Sequence, residues 1–221
     1  MKRTLLIFSL FALATLTSCI TISIGESAVG PVEERTITIG EEEITAMAVS
    51  SGADVIVDST VARGEVRVLT HTDIFDNLKI EVEDSTLGIG LKSSQLRAKT
   101  FEVRVPAYNY NVAALSGGSD LEWKGCNAND LTVAVSGGAD IEISGRCTNL
   151  VVAASGGADA DFEELIAESV SAAASGGADV IVYATKSLEV NASGGADVYY
   201  GGNPANKSIN KTGGADVSAI D

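Results

Sequence analysis

The sequence predicts an all-β chain, a parallel β-helix (β-solenoid) with coils of about 19 residues, and three observations carry that expectation. A five-residue motif returns through the C-terminal half. It reads Ser116-Gly117-Gly118-Ser119-Asp120, Ser136-Gly137-Gly138-Ala139-Asp140, Ser155-Gly156-Gly157-Ala158-Asp159, Ser175-Gly176-Gly177-Ala178-Asp179, Ser193-Gly194-Gly195-Ala196-Asp197 and Thr212-Gly213-Gly214-Ala215-Asp216. Successive copies lie 20, 19, 20, 18 and 19 residues apart, a spacing that marks stacked repeats. Residues around each motif alternate with a period of two: Leu131, Val133 and Val135 share one face before the glycines, and Ala139, Ile141 and Ile143 share one after them. These runs are rich in β-branched residues and break at Gly-Gly, which disfavours helix.

At the N-terminus, Lys2 and Arg3 precede an apolar run from Leu5 to Leu16. The run is too short to cross a hydrocarbon core of about 30 Å, and it reads as a signal peptide over residues 1–18. Leu16-Thr17-Ser18-Cys19 resembles the lipobox of bacterial lipoproteins, whose Cys thiol receives diacylglycerol. That resemblance implies that Cys19 is the lipidated first residue of an exported protein. It also implies a lipid anchor in the cell envelope, at the outer membrane, with residues 19–32 as the tether.

One domain is expected over 33–221. Short strands over Thr36–Ile39, Val55–Val57, Glu65–Leu69, Leu78–Val82, Leu87–Leu91 and Phe101–Val105 make residues 33–112 irregular coils that cap the core, or else a small separate sheet. Ser51-Gly52-Ala53-Asp54, 65 residues before the first full motif, is an outlying relative. Residues 113–221 are the regular coils. Each is a strand, a Gly-Gly corner, a second strand and a polar return. One coil cannot bury its own apolar face, so coils stack at about 4.8 Å around a narrow core whose inward positions are often Ala. The glycines supply positive φ or close backbone approach at a corner repeated on every coil. Lys211 falls at an inward position beside Ile209, where the last coil meets water.

With its signal peptide, irregular N-terminal strands and repeated Ser-Gly-Gly-Ala-Asp preceded by Leu-x-Val, the chain from about Glu33 to Asp221 resembles the auto-transporter adhesin, head GIN domain family of Bacteroidetes-type envelope proteins. The resemblance implies a right-handed, single-stranded parallel β-helix on the cell envelope. It carries no catalytic residues onto this sequence. The chain also lacks the extended passenger and membrane barrel of a full autotransporter.

Thirty acidic against fifteen basic residues give a net charge of -15 and a pI near 4.4, which excludes nucleic acid as a partner. A single histidine, His71, excludes sites built on several. No CxxC, HExxH, GxSxG or phosphate-binding loop is present, and no helix follows the Gly pairs to present an N-terminus to phosphate.

Alternation turns Asp120, Asp140, Asp159, Asp179, Asp197 and Asp216 outward into a column. Their expected role is to pin the corners by accepting Gly-Gly amides, and the competing role is to hold Ca²⁺, the one candidate cofactor. Cys126 and Cys147, 21 residues apart, are a candidate disulfide between neighbouring coils, or else two buried hydrophobes. Tyr108, Tyr110, Trp123 and Tyr199 are candidate glycan contacts, with core packing as the alternative. Asp159, Asp161, Glu163, Glu164 and Glu168 form a second acidic run.

Together these features predict a non-catalytic, adhesin-like envelope lipoprotein that binds glycan or protein ligands. The alternatives are an extracellular polysaccharide lyase or glycosidase using Asp159, Asp161 and Glu163, and a structural envelope scaffold.

Overall fold

A computed structural model describes residues 26–27, 30–93 and 95–220, so the predicted signal peptide and Cys19 lie outside the described residues. The N-terminal part contains β1 (Glu26–Ser27), β2 (Val32–Thr38), β3 (Ala46–Val49), β4 (Asp54–Val57), β5 (Glu65–His71), β6 (Leu78–Glu83), β7 (Thr86–Leu91), β8 (Leu96–Arg97) and β9 (Phe101–Val105). The repeat follows as β10 (Val112–Ser116), β11 (Asp120–Gly137), β12 (Asp140–Gly156), β13 (Asp159–Gly176), β14 (Asp179–Gly194), β15 (Asp197–Gly201), β16 (Asn206–Lys211) and β17 (Asp216–Ala219). A single turn of 3-10 helix at Phe75–Asn77 is the only helical element among the described residues.

The fold is the predicted β-solenoid. Strands β11 to β14 each run from one corner to the next and bend on the way, with register shifts such as that between Trp123 and Cys126. Pairing between coils is parallel and sets like on like: Asp120 lies opposite Asp140, then Asp159, Asp179, Asp197 and Asp216. The inward columns are apolar and buried, as in Leu131, Leu150, Val170 and Leu188 or Val135, Ala154, Ala174 and Ala192. The second of these columns shrinks from Val to Ala, which keeps the later coils thin.

The two corner glycines serve different ends. The first of each pair has positive φ, +84° at Gly156 and +81° at Gly176, while Gly157 and Gly177 lie outside the left-handed region. From Gly157 onward the amide of the second glycine donates to the carbonyl of the first glycine one coil earlier, at 2.7 Å from Gly177 to Gly156 and 2.6 Å from Gly195 to Gly176. A Cβ on Gly176 would stand 2.9 Å from the Gly156 carbonyl oxygen and 3.0 Å from its nitrogen, whereas on Gly177 the nearest atom is 3.7 Å away.

The irregular segment supplies a first coil and a further layer stacked outside it. Strand β3 pairs in parallel with β10, and β4 with β11, so the corner at Ser50–Ala53 belongs to a full coil stacked directly against the first Gly-Gly coil. The 65-residue interval arises because the chain leaves that coil after Asp58 and lays a further layer outside it, where β7 pairs with β3 and β9 with β4. Antiparallel β2 and β5 continue from β9, and antiparallel β6 covers β7. All of these strands belong to the same sheet as the repeat, not to a separate one. Part of the expected tether is tied down as well, since Glu26–Ser27 pairs with Leu96–Arg97 and Val32 opens β2.

The early corners also turn differently. Ser51 (φ +68°) and Gly52 (φ +70°) are both left-handed, as are Gly117 and Gly118. The fully buried Ser119, where later copies have Ala, accepts the Gly52 amide at 3.1 Å and the Ala53 amide at 3.3 Å through its Oγ.

Equilibrium unfolding in guanidinium should separate the two corner positions. Gly176→Ala combines a left-handed penalty with a backbone clash and should cost about 2–4 kcal/mol. Gly177→Ala should stay within about 1 kcal/mol of the parent.

Candidate functional site

The strands that follow each corner present an outward face rich in acids. Its first column is longer than the sequence repeat indicates, because register adds Asp54 opposite Asp120 and Glu102 opposite Asp54. Eight carboxylates therefore run in line: Glu102, Asp54, Asp120, Asp140, Asp159, Asp179, Asp197 and Asp216. Two residues further along the strands, Glu122, Glu142 and Asp161 form a second acidic column on the same face, continued by Ile181 and Tyr199. Between these columns lies a shallow groove of about 490 Å³, lined by Asp54, Asp120, Glu122, Asp140, Glu142 and Asp161 among others.

Among the described residues, cations meet the first column only at its ends. Arg104 Nε donates to Glu102 at 2.8 Å and its NH1 reaches Asp58 at 3.3 Å, while Lys211 Nζ lies 2.9 Å from Asp216. Among the described residues, none of the six carboxylates between those ends pairs with Lys or Arg. At the four corners from Gly157 onward the second glycine's amide goes to a backbone carbonyl of the preceding coil, so there it is not the aspartate that accepts it. Two unit charges about 5 Å apart in bulk water repel by roughly 1 kcal/mol, and salt screens that repulsion. Partial burial raises the pKa of Asp54, with Glu102 adding to it; burial likewise raises Asp120, helped by Asp54 and Asp140. Asp216 shifts the other way, held down by its hydrogen bond from Lys211.

No group of three or more His, Cys, Asp or Glu side chains among the described residues is arranged to hold a metal ion. The column spaces its carboxylates one per coil, so they do not converge on one point as six to eight Ca²⁺ ligands must. The second acidic run is also divided. Asp159 and Asp161 belong to the face, Asp161 accepts the Glu163 amide at 2.9 Å, and Glu168 pairs with Lys186 on a different part of the coil.

Three of the candidate glycan contacts are core. Tyr108, Tyr110 and Trp123 are 6%, 1% and 4% exposed and stack edge to face, with centroids 5.8 Å and 5.7 Å apart. Tyr108 Oη accepts the Gly64 amide at 2.9 Å, Tyr110 Oη donates to the Pro106 carbonyl at 3.0 Å, and Arg63 lies over the Tyr108 ring. Their tight packing wedges the outlying N-terminal layer onto the first coils. Tyr199, at 38%, remains outward on the acidic face.

The candidate disulfide is not formed. Cys126 and Cys147 are buried free thiols, and register sets Cys126 opposite Gly145 and Cys147 opposite Ala128. A two-residue offset across adjacent parallel strands is roughly 8 Å between Cα atoms, beyond disulfide reach. Burial pushes the Cys126 thiol up to about 12 and the Cys147 thiol up to about 11.

A family model described as "Putative auto-transporter adhesin, head GIN domain" matches residues 43–204. Among solved structures, an adhesin candidate from Bacteroides fragilis NCTC 9343 superposes with a TM-score of 0.70 at 18% identity, covering 89% of this chain and 100% of its own. A protein from Parabacteroides distasonis ATCC 8503 described as a "Putative lipid binding protein" gives 0.51 at 17% identity, covering 89% and 99%. Another described as a "putative adhesin", from Parabacteroides merdae ATCC 43184, gives 0.51 at 13% identity, with the same coverage. These likenesses show the shared fold. No curated protein matches the chain.

Two outcomes follow. Raised carboxyls in the folded state bind protons more tightly than in the unfolded chain, so Asp54 and Asp120 withdraw stability as pH rises through their folded pKa values. Asp120→Asn should therefore raise the melting temperature at pH 7 by a few degrees or less and flatten its fall from pH 4 to 7. Added salt should raise the parent's melting temperature more than the variant's. Separately, a thiol reagent at pH 7.5 should leave Cys126 and Cys147 unmodified in the folded chain and label both after denaturation without reductant.

Proposed function

The chain belongs to the auto-transporter adhesin, head GIN domain family, and from that premise we propose that it is a non-catalytic envelope lipoprotein that binds ligands through the acidic strand face. The basic and apolar N-terminal segment, which reads as a signal peptide, and the lipobox-like Leu16–Cys19 support export and an N-terminal lipid anchor in this reading.

The observation that carries the binding role is the run of six carboxylates without a Lys or Arg partner among the described residues, bounded by neutralised ends. Such a column holds counter-ions at the surface, and a ligand with regularly spaced positive charges gains by replacing them. The ligand chemistry that fits is cationic: an amine-bearing glycan or a basic segment of a surface protein. Tyr199, exposed on the same face, offers a ring for stacking or a cation–π contact. One carboxylate per coil suits an extended ligand lying along the solenoid axis.

The test is an array of neutral, acidic and amine-bearing glycans together with a basic peptide, probed with the full chain in detergent, in calcium and in chelator. Saturable binding to the amine-bearing glycans or the peptide is expected, without turnover. Asp140→Asn, Asp159→Asn and Asp179→Asn combined should weaken it by about tenfold or more, and 0.5 M salt should do the same. The combined variant relieves repulsion, so lost binding would not reflect lost folding. Absence of cationic binding, or binding indifferent to the triple variant, overturns the proposal in favour of a scaffold. Turnover of a bound glycan points instead to the hydrolase or lyase reading.

A further inference from the structure

The last coil departs from the rule that inward columns are apolar. The column Leu131, Leu150, Val170, Leu188 continues to Lys207, and the column Val135, Ala154, Ala174, Ala192 continues to Lys211. Between them Ile209 continues Val152, Ala172 and Val190, yet it is 39% exposed. All of β16 is exposed, and among the described residues no strand pairs with its outer edge.

Both ammonium groups have places on the fold. Lys211 Nζ crosses the corner to Asp216, and Lys207 Nζ lies 5.7 Å from the centre of the Tyr200 ring. We infer that Lys207 and Lys211 guard the β16 edge against a second copy of this chain, and that Ile209 between them is the apolar contact this guard protects. The backbone of β16 is already shaped as a ladder strand by β14, so its outer donors and acceptors are pre-set to receive another strand. A second copy adding a strand there would continue the inward columns and enclose both ammonium groups in apolar surroundings, away from Asp216 and Tyr200. Burying an unpaired charge is what stops the pairing. The acidic columns leave the flanks of two copies mutually repulsive, so the guarded edge is where a small change in side chains turns a monomer into an assembly.

The experiment is sedimentation velocity on the full chain in detergent, from 5 to 200 µM, for the parent, for Lys207→Val with Lys211→Ala, and for that pair with Ile209→Lys added. The parent should show no concentration dependence. The double variant should self-associate, with an assembled fraction at the highest concentration about tenfold above the parent's, and the added Ile209→Lys should return it to the parent's behaviour. Circular dichroism and hydrogen exchange in β14 establish that each variant is folded. A folded double variant that stays monomeric overturns the inference. So does self-association that survives Ile209→Lys, or a parent that already assembles through β16. These outcomes are independent of whether the acidic face binds a ligand.

Discussion

The rest of the structure depends on one constraint, the residue-for-residue register between neighbouring coils. It is set at the corner, where the amide of one glycine reaches the carbonyl of another a full coil earlier, at 2.8 Å from Gly157 to Gly137 and 2.7 Å from Gly214 to Gly194. The first glycine must be left-handed and stripped of Cβ for that approach. Parallel pairing between aligned corners then converts every position of the repeat into a column. Whatever residue type the repeat carries is multiplied along the axis, with its benefits and its costs. Alanine at an inward position makes a thin core, and aspartate at the first outward position makes a line of charge.

That line is costly to the fold, and the chain manages it in three ways. Most of the aspartates are exposed, so water and salt screen them. The ends are closed by Arg104 and Lys211, which remove the charge where the column meets the irregular layer and the open coil. The outward positions just before each corner carry no charge over four coils, with Ala114, Ala134, Ala153 and Ala173 in one column and Ser116, Ser136, Ser155 and Ser175 in the next. The aspartate column is thereby kept clear of like charge on the strand segments that precede the corners. The cost left over is the negative potential that remains along that face.

Much of this was legible because a repeat makes periodicity and register the same thing. The inward sets read from alternation, Leu131, Val133, Val135 and Ala139, Ile141, Ile143, are all buried, and Tyr199 is outward as its phase requires. What could not be read was any pairing between segments without a common period. Asp54 and Glu102 join the column through strands whose neighbours in space are distant in the chain, and only Ser51-Gly52-Ala53-Asp54 gave a hint of it. That fragment hides its alignment, because Ser51 occupies the position held elsewhere by the first glycine. Tyr108 and Tyr110 alternate with Asn109 and Asn111 as surface residues can, and their burial comes from Trp123 and Arg63 packed against them. The cysteines sit nearly one coil apart, yet two residues out of register. Sequence distance alone does not reveal that offset, since the bend after Trp123 shifts the count.

A solenoid can be contacted along its flank or at its ends, and the two directions obey different physics here. Contact along the flank meets side-chain columns, so its strength scales with the number of coils engaged and its specificity lies in charge spacing. Contact at an end meets backbone, which accepts any strand of suitable length and therefore has to be refused by side chains. The same residue type serves opposite purposes in the two places. Lysine is largely kept off the acidic flank, where Lys124 pairs with Glu122 at one edge, and is concentrated at the end, where Lys207 and Lys211 stand in columns that elsewhere hold Leu and Ala. Among the described residues, six carboxylates without a Lys or Arg partner therefore run along the flank, and two lysines stand on the strand edge at the end, so the two surfaces differ in charge as well as in backbone access.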